Sequence, residues 1–253
     1  MSAKPKVPRR GLTFSAGSHR YRLDGKPVTG VTTLIGSGLP KPALPYWAAK
    51  KVAERVESNF DQVRADYSAM SKGQFIDSLK RAPWDERDRS AIRGTSVHAL
   101  AAELVNGVEV EVPQELEPYV SGYAEWLDAH EVRPILTESL VGNRSEWYAG
   151  TTDLVAEYEG RPMLLDLKTS TSIHGSYALQ CAAYAHAEFW QDADGVEHPM
   201  PQVEGIGAVH VTDSGSYLVE FPDPDAAWTM FRHVAYVAKN TKTIDSWGED
   251  KRK

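Results

Sequence analysis

The sequence predicts an α/β protein in which a mixed central sheet is flanked by helices. Apolar residues at helical spacing dominate the first half of the chain, and three apolar strand-like runs follow at about residues 135–141, 146–158 and 163–169. A helix separates these runs from two further strands and a final helix. Strands that alternate with helices in this way are typical of a sheet covered on both faces. With 253 residues, the chain is long enough for one large domain with an appended lobe.

The N-terminal part is expected to be a separate lobe. Residues 1–11 are basic, and we expect a disordered arm there. Residues 12–92 are predicted to form a mainly helical lobe with a short hairpin over residues 18–35, whose turn is Asp24-Gly25-Lys26-Pro27. The remainder, residues 93–247, is predicted to form the core, and residues 248–253 a charged tail.

The remaining elements are predicted from hydrophobic periodicity and from the residues that interrupt it. Apolar residues three and four positions apart indicate helices, and Gly107 is expected to end one of them. A turn at Asp213-Ser214-Gly215 is expected to join the last two strands. The predicted helices cover residues 43–59, 71–81, 85–106, 114–130, 177–189 and 224–247; a polar loop is predicted over residues 191–203, and the last strands over 206–211 and 216–221.

Composition excludes several classes of protein. No apolar run approaches the roughly 20 residues that cross a membrane. The N-terminus is basic but lacks the apolar stretch of a secretory signal, so we expect a cytoplasmic protein without a membrane partner. Cys181 is the only cysteine, which excludes an internal disulfide framework and a four-cysteine iron–sulfur cluster.

The charge of the chain is distributed unevenly. The formal net charge is −7, but residues 1–100 contain 18 Lys and Arg against 9 Asp and Glu. Residues 101–161 contain only 3 against 13. The first hundred residues are therefore candidates for a basic face that attracts a phosphate backbone. A solvated surface with uneven charge is an equally good interpretation of this pattern.

The stretch from Gly150 to Lys168, GTTDLVAEYEGRPMLLDLK, carries the strongest chemical signal. It is predicted to form two apolar strands, with Asp153 at the start of the first and Asp166 inside the second. Alternation of side chains along a strand directs Asp166 and Lys168 to the same face. A buried charge is costly unless it is paired or holds a metal. A surface salt bridge and a carboxylate at a turn are the structural alternatives, but two strand carboxylates beside a lysine are the groups that a hydrolytic Mg²⁺ or Mn²⁺ site uses.

Four motifs occur in a fixed order along the chain: Gly94-Thr-Ser-Val-His98, Gly150-Thr-Thr-Asp153, Asp166-Leu-Lys168 and Gln180-x-x-x-Tyr184. Together they resemble the RecB-type exonuclease branch of the PD-(D/E)XK nuclease superfamily, in its phage-encoded type without an iron–sulfur cluster. The likeness extends from about Arg93 to Ala187. It implies a core like that of the restriction endonucleases and a divalent-metal-dependent deoxyribonuclease.

The resemblance also implies roles for individual residues. The implied catalytic residues are His98, Asp153, Asp166 and Lys168, and the implied metal ligands are His98, Asp153, Asp166 and the backbone carbonyl of Leu167. The cofactor would be Mg²⁺ or Mn²⁺, and a histidine ligand would favour Mn²⁺. Residues expected to contact nucleic acid or support the site are Gln180, Tyr184, Arg93, Thr169 and Glu138.

The function predicted from these motifs is an exonuclease that acts on DNA ends or single strands. The resemblance implies a setting in phage or prophage replication, recombination or repair, in the host cytoplasm. DNA is the expected partner, with a separate recombinase, helicase or single-strand-binding protein as a further one, because the sequence contains no phosphate-binding loop of a motor. Two alternatives remain open: a non-catalytic DNA-end-binding recombination module, and a structure-specific endonuclease with the same metal chemistry.

Overall fold

The computed structural model describes residues 11–248 of the chain. These residues form two compact units, of which the smaller is Pro40–Ser96 and the larger contains the residues up to Leu39 and from Val97 onward. The predicted N-terminal arm, except Gly11, and the predicted charged tail, except Gly248, lie outside the described residues. None of the described helices is both long and apolar enough to cross a membrane.

Ten strands and eight α-helices are found among the described residues. The strands are β1 (Leu12–Ser15), β2 (Arg20–Leu23), β3 (Lys26–Gly30), β4 (Arg133–Asn143), β5 (Tyr148–Tyr158), β6 (Arg161–Lys168), β7 (Phe189–Gln191), β8 (Glu197–Pro199), β9 (Gly205–Thr212) and β10 (Gly215–Phe221). The helices are α1 (Val31–Gly38), α2 (Ala43–Ser58), α3 (Phe60–Ala69), α4 (Lys72–Lys80), α5 (Ala82–Val105), α6 (Glu117–Ala129), α7 (Ser176–Ala185) and α8 (Pro224–Ser246).

All ten strands belong to one curled, mixed sheet in the larger unit. Strands β4, β5 and β6 are successive antiparallel neighbours, β6 pairs with β9 in parallel, and β10 completes that end. At the other end, the three N-terminal strands join the sheet through a short parallel pairing of β3 with β5. The predicted mixed sheet flanked by helices is therefore confirmed.

Alternate residues of the central strands supply two separate apolar cores. On one face, Val155 and Leu164 pack with residues of α1, α7 and α8. On the other face, Leu154 and Leu165 pack with α6 and with the part of α5 that follows Val97. This alternation explains why β5 and β6 are apolar almost throughout, since both of their faces are covered.

The smaller unit contains α2, α3, α4 and the first part of α5. Helix α4 begins with a capping box in which the Ser71 and Gln74 side chains satisfy each other's backbone N–H groups. Many basic side chains of the smaller unit have acidic neighbours. On α2, for example, the ammonium groups of Lys50 and Lys51 lie 3.5 and 3.0 Å from the Glu54 carboxylate. The excess of positive charge counted in the first hundred residues is therefore partly neutralised within this unit.

The structure differs from the sequence-based assignment in several elements. It contains α3 (Phe60–Ala69) and β1 (Leu12–Ser15), which that assignment lacked. Residues 31–35, predicted as a strand, begin α1, because Val31, Leu34 and Ile35 are spaced so that one helical face buries all three. The N-terminal hairpin belongs to the larger unit and not to the helical lobe, because β3 pairs with β5. The predicted loop 191–203 includes a short hairpin of β7 and β8.

Gly150 lies on β5 where the ring of Tyr184 packs against the strand. A Cβ atom at this position would collide with Cε1 of that ring. We predict that Gly150→Ala lowers the free energy of unfolding by about 1–3 kcal/mol, because the tyrosine must shift in a packed core. Denaturant unfolding monitored by circular dichroism measures this change.

Gly36 provides the matched control, since it is exposed on α1 and a Cβ there meets no atom within 4 Å. Gly36→Ala should leave stability unchanged or raise it by up to about 1 kcal/mol. Equal effects of the two substitutions would contradict the proposed contact.

Candidate metal centre and its surroundings

The candidate site lies where the neighbour of β5 in the sheet changes from β3 to β6. Strand β5 pairs with β3 only at Tyr148 and Ala149, and with β6 only from Leu154 onward. The segment 150–153 therefore lies in a gap between β3 and β6, which we call the fork. Asp153 is at the end of this segment, so its side chain can be reached by groups from several elements.

Three of the predicted site residues come together at the fork. His98 on α5, Glu138 on β4 and Asp153 on β5 offer ligand atoms that all lie within 4.8 Å of one another. His98 Nδ1 is 3.4 Å from Asp153 Oδ2. These residues border a cavity of about 20 Å³, which is close to the space that one water molecule needs. Leu167, whose backbone carbonyl is also a predicted ligand, lines the same cavity.

The backbone at Glu138 is bent in a way that favours this arrangement. Thr137 pairs with Leu154 and Ser139 pairs with Thr152, so Glu138 lies opposite Asp153 in register. Glu138 adopts φ = 44°, in the left-handed region that glutamate rarely occupies. Such a conformation costs on the order of 1–3 kcal/mol, and residues of this kind concentrate at functional sites.

The three groups influence one another's protonation. The pKa of Glu138 is raised to about 7, first by desolvation and second by the negative charge of Asp153. Burial alone would raise the pKa of Asp153, but the hydrogen bond to His98 and the charges of His98 and Lys168 outweigh it and leave the pKa lowered. Burial would lower the pKa of His98, yet Asp153 raises it above its ordinary value. The cluster therefore binds protons when no cation neutralises its carboxylates.

Asp166 is buried beside this cluster, inside β6, with 1% of its side chain exposed. Gln180 Nε2 on α7 donates a hydrogen bond of 2.7 Å to Asp166 Oδ1. The Lys168 ammonium pairs with Asp166 Oδ2. Burial raises the pKa of Asp166, whereas Lys168 acts in the opposite direction. Both donors are needed, because a buried carboxylate without partners would be strongly destabilising.

Lys168 is held in place on a second side by Tyr177. Its Nζ atom lies 4.9 Å from the centroid of that ring, which is a cation–π distance. Burial would lower the pKa of Lys168, but the charges of Asp166 and Asp153 outweigh it and the pKa is raised. Lys168 is therefore a fixed cation at the site when the carboxylates are charged.

The chain just after Lys168 is also fixed. Tyr177 Oη donates to Ser170 Oγ at 3.3 Å, and His210 Nε2 lies 2.6 Å from the Ser170 carbonyl oxygen. Because a carbonyl only accepts, Nε2 of His210 carries a proton. Thr169, predicted to support the site, lies half-buried between Lys168 and this anchored serine.

Tyr184 and Arg93 occupy different surroundings from Gln180. Tyr184 is buried, and its ring packs on Gly150 at the fork, so it supports β5 from beneath. Arg93 lies on α5 in the smaller unit and is half-buried. Of the residues predicted to contact nucleic acid or to support the site, Gln180, Tyr184 and Glu138 are thus placed at the fork.

The donor set fits a divalent cation. One imidazole and two carboxylates within reach of one another form a mixed nitrogen and oxygen site of the kind that Mn²⁺ accepts, and the carboxylates alone suit Mg²⁺. Asp166 is not part of this three-residue cluster, and its oxygens are engaged by Gln180 and Lys168. The backbone of β6 nevertheless contacts the cluster, since Leu167 N donates a 2.8 Å hydrogen bond to Asp153 Oδ2.

Sequence reasoning placed Glu138 among the supporting residues and not among the metal ligands, and it did not identify Tyr177 or His210. The register of β4 against β5 would have placed Glu138 opposite Asp153, but the bulge that creates the register is not visible in the sequence. Tyr177 and His210 contact the site from α7 and β9, and only the three-dimensional packing brings them near Lys168.

We predict that Mn²⁺ binding to this cluster is coupled to proton release. Because the pKa of Glu138 is raised to about 7, this carboxyl is protonated below that pH and must lose its proton when the cation binds. Affinity should therefore be about tenfold or more weaker at about pH 6 than at about pH 8, as measured by isothermal titration calorimetry. His98 acts in the same direction, since its pKa is also raised.

The control for this measurement lies on the same strand as Asp153. Glu138→Gln should weaken binding and flatten its pH dependence, whereas Glu157→Gln, at an exposed position of β5, should leave both unchanged. A pH profile of Glu138→Gln that matches the unsubstituted protein would show that Glu138 does not participate.

Comparison with models of known protein families gives no match, and comparison with curated proteins gives none either.

Proposed function

We propose that this chain is a divalent-metal-dependent deoxyribonuclease with a PD-(D/E)XK core. The observation that carries the proposal is the convergence of His98, Glu138 and Asp153 beside the buried pair of Asp166 and Lys168. No structural requirement of the sheet explains five ionisable side chains at one point. Hydrolysis of a phosphodiester explains them, because that reaction needs charge stabilisation on both sides of the phosphorus.

The arrangement of the elements supports the same assignment. The two acidic strands β5 and β6 are antiparallel neighbours, α5 brings His98 from one side, and α7 brings Gln180 and Tyr184 from the other. The four sequence motifs, which are separated by up to about 80 positions along the chain, thus meet at the fork. This meeting is what the resemblance to RecB-type exonucleases implies.

His98, Glu138 and Asp153 would hold the cation, with Asp166 and the Leu167 backbone next to them. A bound Mg²⁺ or Mn²⁺ would supply Lewis acidity, which lowers the pKa of water and offsets negative charge on a phosphate. Lys168 contributes a positive charge that stabilises the negative oxygens of the reacting phosphate. Its raised pKa favours this role over that of a proton acceptor.

Gln180 and Tyr177 are positioning residues in this proposal. Gln180 fixes Asp166 Oδ1, so that the other oxygen faces Lys168. Tyr177 restrains the lysine through its ring and the following loop through Ser170. Together they hold the ammonium group in one orientation, which avoids reorganisation during the reaction.

The resemblance further supports action on DNA ends or single strands, in phage or prophage replication, recombination or repair. A separate recombinase, helicase or single-strand-binding protein would then prepare or receive the substrate. Cytoplasmic action follows from the same proposal.

We predict that Asp166→Asn and Lys168→Ala each lower the rate of DNA hydrolysis about a hundredfold or more, with Mg²⁺ or Mn²⁺ present. The first removes the charge that fixes the lysine, and the second removes the cation itself. Release of acid-soluble nucleotides from end-labelled DNA measures the rate. Asp213→Asn in the β9–β10 turn and Lys242→Ala on α8 are matched controls at exposed positions, and both should retain activity.

Two outcomes would count against the proposal. Full activity in Asp166→Asn would show that hydrolysis occurs elsewhere or comes from a contaminant. Binding of DNA ends by the unsubstituted protein, without hydrolysis of any DNA form in either cation, would favour the non-catalytic DNA-end-binding module instead.

We also predict that linear DNA is degraded while covalently closed circular DNA of the same sequence remains intact. An exonuclease requires a terminus, whereas an endonuclease with the same site residues does not. Gel electrophoresis of both substrates with Mg²⁺ distinguishes the two. Cleavage of the circle at a comparable rate would favour the structure-specific endonuclease.

A further inference from the structure

The hairpin of β1 and β2 carries an aromatic cluster that the proposed reaction does not use. Phe14 and Tyr21 are a cross-strand pair, and their rings stack with centroids 4.6 Å apart and an interplanar angle of 28°. His19 meets the edge of Phe14 with centroids 5.8 Å apart. Phe14 and Tyr21 are half-buried and His19 is exposed, so part of this aromatic surface contacts solvent.

Phe14 is not a member of the core that attaches the hairpin to the rest of the sheet, although Tyr21 packs against that core. Leu12, Leu23 and Val28 are buried together with Ala149 and Phe189, and this small core attaches the hairpin to the rest of the sheet. A fixed, half-exposed ring stacked on a tyrosine is instead the kind of surface on which an unpaired base stacks.

A concavity of about 580 Å³ lies along the same hairpin. Its lining residues include Phe14, Tyr21, Arg20 and Arg22, together with five hydroxyl-bearing residues, Thr13, Ser15, Ser18, Thr29 and Thr33. Among the residues that the structure describes, no carboxylate lines it, although the chain as a whole carries a net charge of −7. The concavity is therefore suited to an anionic ligand that also offers hydrogen-bond acceptors.

The two arginines of the hairpin differ in the partners of their guanidinium groups. Arg22 Nη2 donates to the Gly25 carbonyl at 2.6 Å, which ties it to the β2–β3 turn. Arg20 is exposed at the start of β2 and forms no ion pair within residues 11–248. Alternation along β2 places Tyr21 on one face and Arg20 on the other, and residues of both faces line the concavity.

Tyr21 connects this surface to the candidate metal centre. Its hydroxyl lies 3.1 Å from Thr151 Oγ1, inside the fork. Thr151 and Asp153 are two positions apart on β5, so their side chains share a face at a spacing of roughly 7 Å. A strand that reaches the metal centre would therefore extend over the hairpin.

We propose that the β1–β2 hairpin binds an unpaired segment of the DNA substrate, with a base on the Phe14–Tyr21 stack and a phosphate at Arg20. This inference rests on the proposed nuclease function and names the part of the substrate that the hairpin takes. The carboxylates of the metal centre repel a phosphate backbone, so other groups have to attract and orient it. The hairpin supplies a stacking platform that reaches the fork through Tyr21, and it supplies in Arg20 a cation with no ion-pair partner among the described residues.

The test is equilibrium binding of a fluorescein-labelled single-stranded oligodeoxynucleotide of about 12 nucleotides in EDTA, followed by fluorescence anisotropy at several salt concentrations. Phe14→Leu, which keeps an apolar side chain but removes the ring, should weaken binding about tenfold. Arg20→Ala should lower the slope of log K against log salt by about 0.7, the value expected for one lost phosphate contact to a single strand.

Arg133→Ala is the matched control for Arg20→Ala. Arg133 is an exposed arginine at the start of β4, and it lines a different concavity that also contains three carboxylates, Glu109, Asp128 and Glu131. Its removal should leave both affinity and salt slope unchanged. Thermal unfolding of each variant checks that the fold is retained, which the exposed position of Arg20 favours.

The outcomes separate this inference from the proposed function. If the protein hydrolyses DNA but Phe14→Leu and Arg20→Ala bind the oligonucleotide like the unsubstituted protein, the hairpin inference is overturned and the nuclease proposal stands. If hydrolysis is absent but both variants lose binding as described, the hairpin inference stands and the nuclease proposal fails. Failure of the unsubstituted protein to bind the oligonucleotide would also overturn the inference.

Discussion

The burial of the Asp166 carboxylate inside β6 is the constraint on which the rest of the site depends. A charge at 1% exposure is tolerated only if donors surround it, and two are supplied by Gln180 on α7 and Lys168 on the same strand. These contacts fix the position of α7 against the sheet. Tyr177 on the same helix then restrains Lys168, and Tyr184 packs on Gly150. One buried charge thereby determines how a helix, two strands and a loop meet.

Asp153 is approached from three directions. His98 on α5 and the bent Glu138 on β4 lie within ligand distance of it. On the remaining edge of β5, where β3 ends its pairing at Ala149 and β6 begins its pairing at Leu154, Leu167 N donates a hydrogen bond to Asp153 Oδ2. The bend at Glu138 and the close packing at Gly150 are local departures from regular strand geometry, and both occur at the fork. Such departures are common where function competes with regular structure.

The core strands could be predicted from the sequence, and the principal candidate residues could be selected from it, because their signals are local. Asp166 inside the apolar run of β6 and the motif around His98 are visible without any structure. The roles of Glu138 and Tyr21 depend on register and on a parallel pairing between distant strands, which local patterns do not encode. Residues 31–35 show the same limit, since a short β-branched run fits a strand or a buried helix face, and packing against α8 decides between them.

The central claim is that His98, Glu138 and Asp153 form a divalent-metal site. Its most direct test is a crystal structure of the protein with Mn²⁺, in which anomalous scattering locates the ion independently of any assumed ligand. We predict one strong anomalous peak within coordination distance of these three side chains, and its loss in crystals of Asp153→Asn. A peak bound only by other residues, or none at saturating Mn²⁺, would contradict the account.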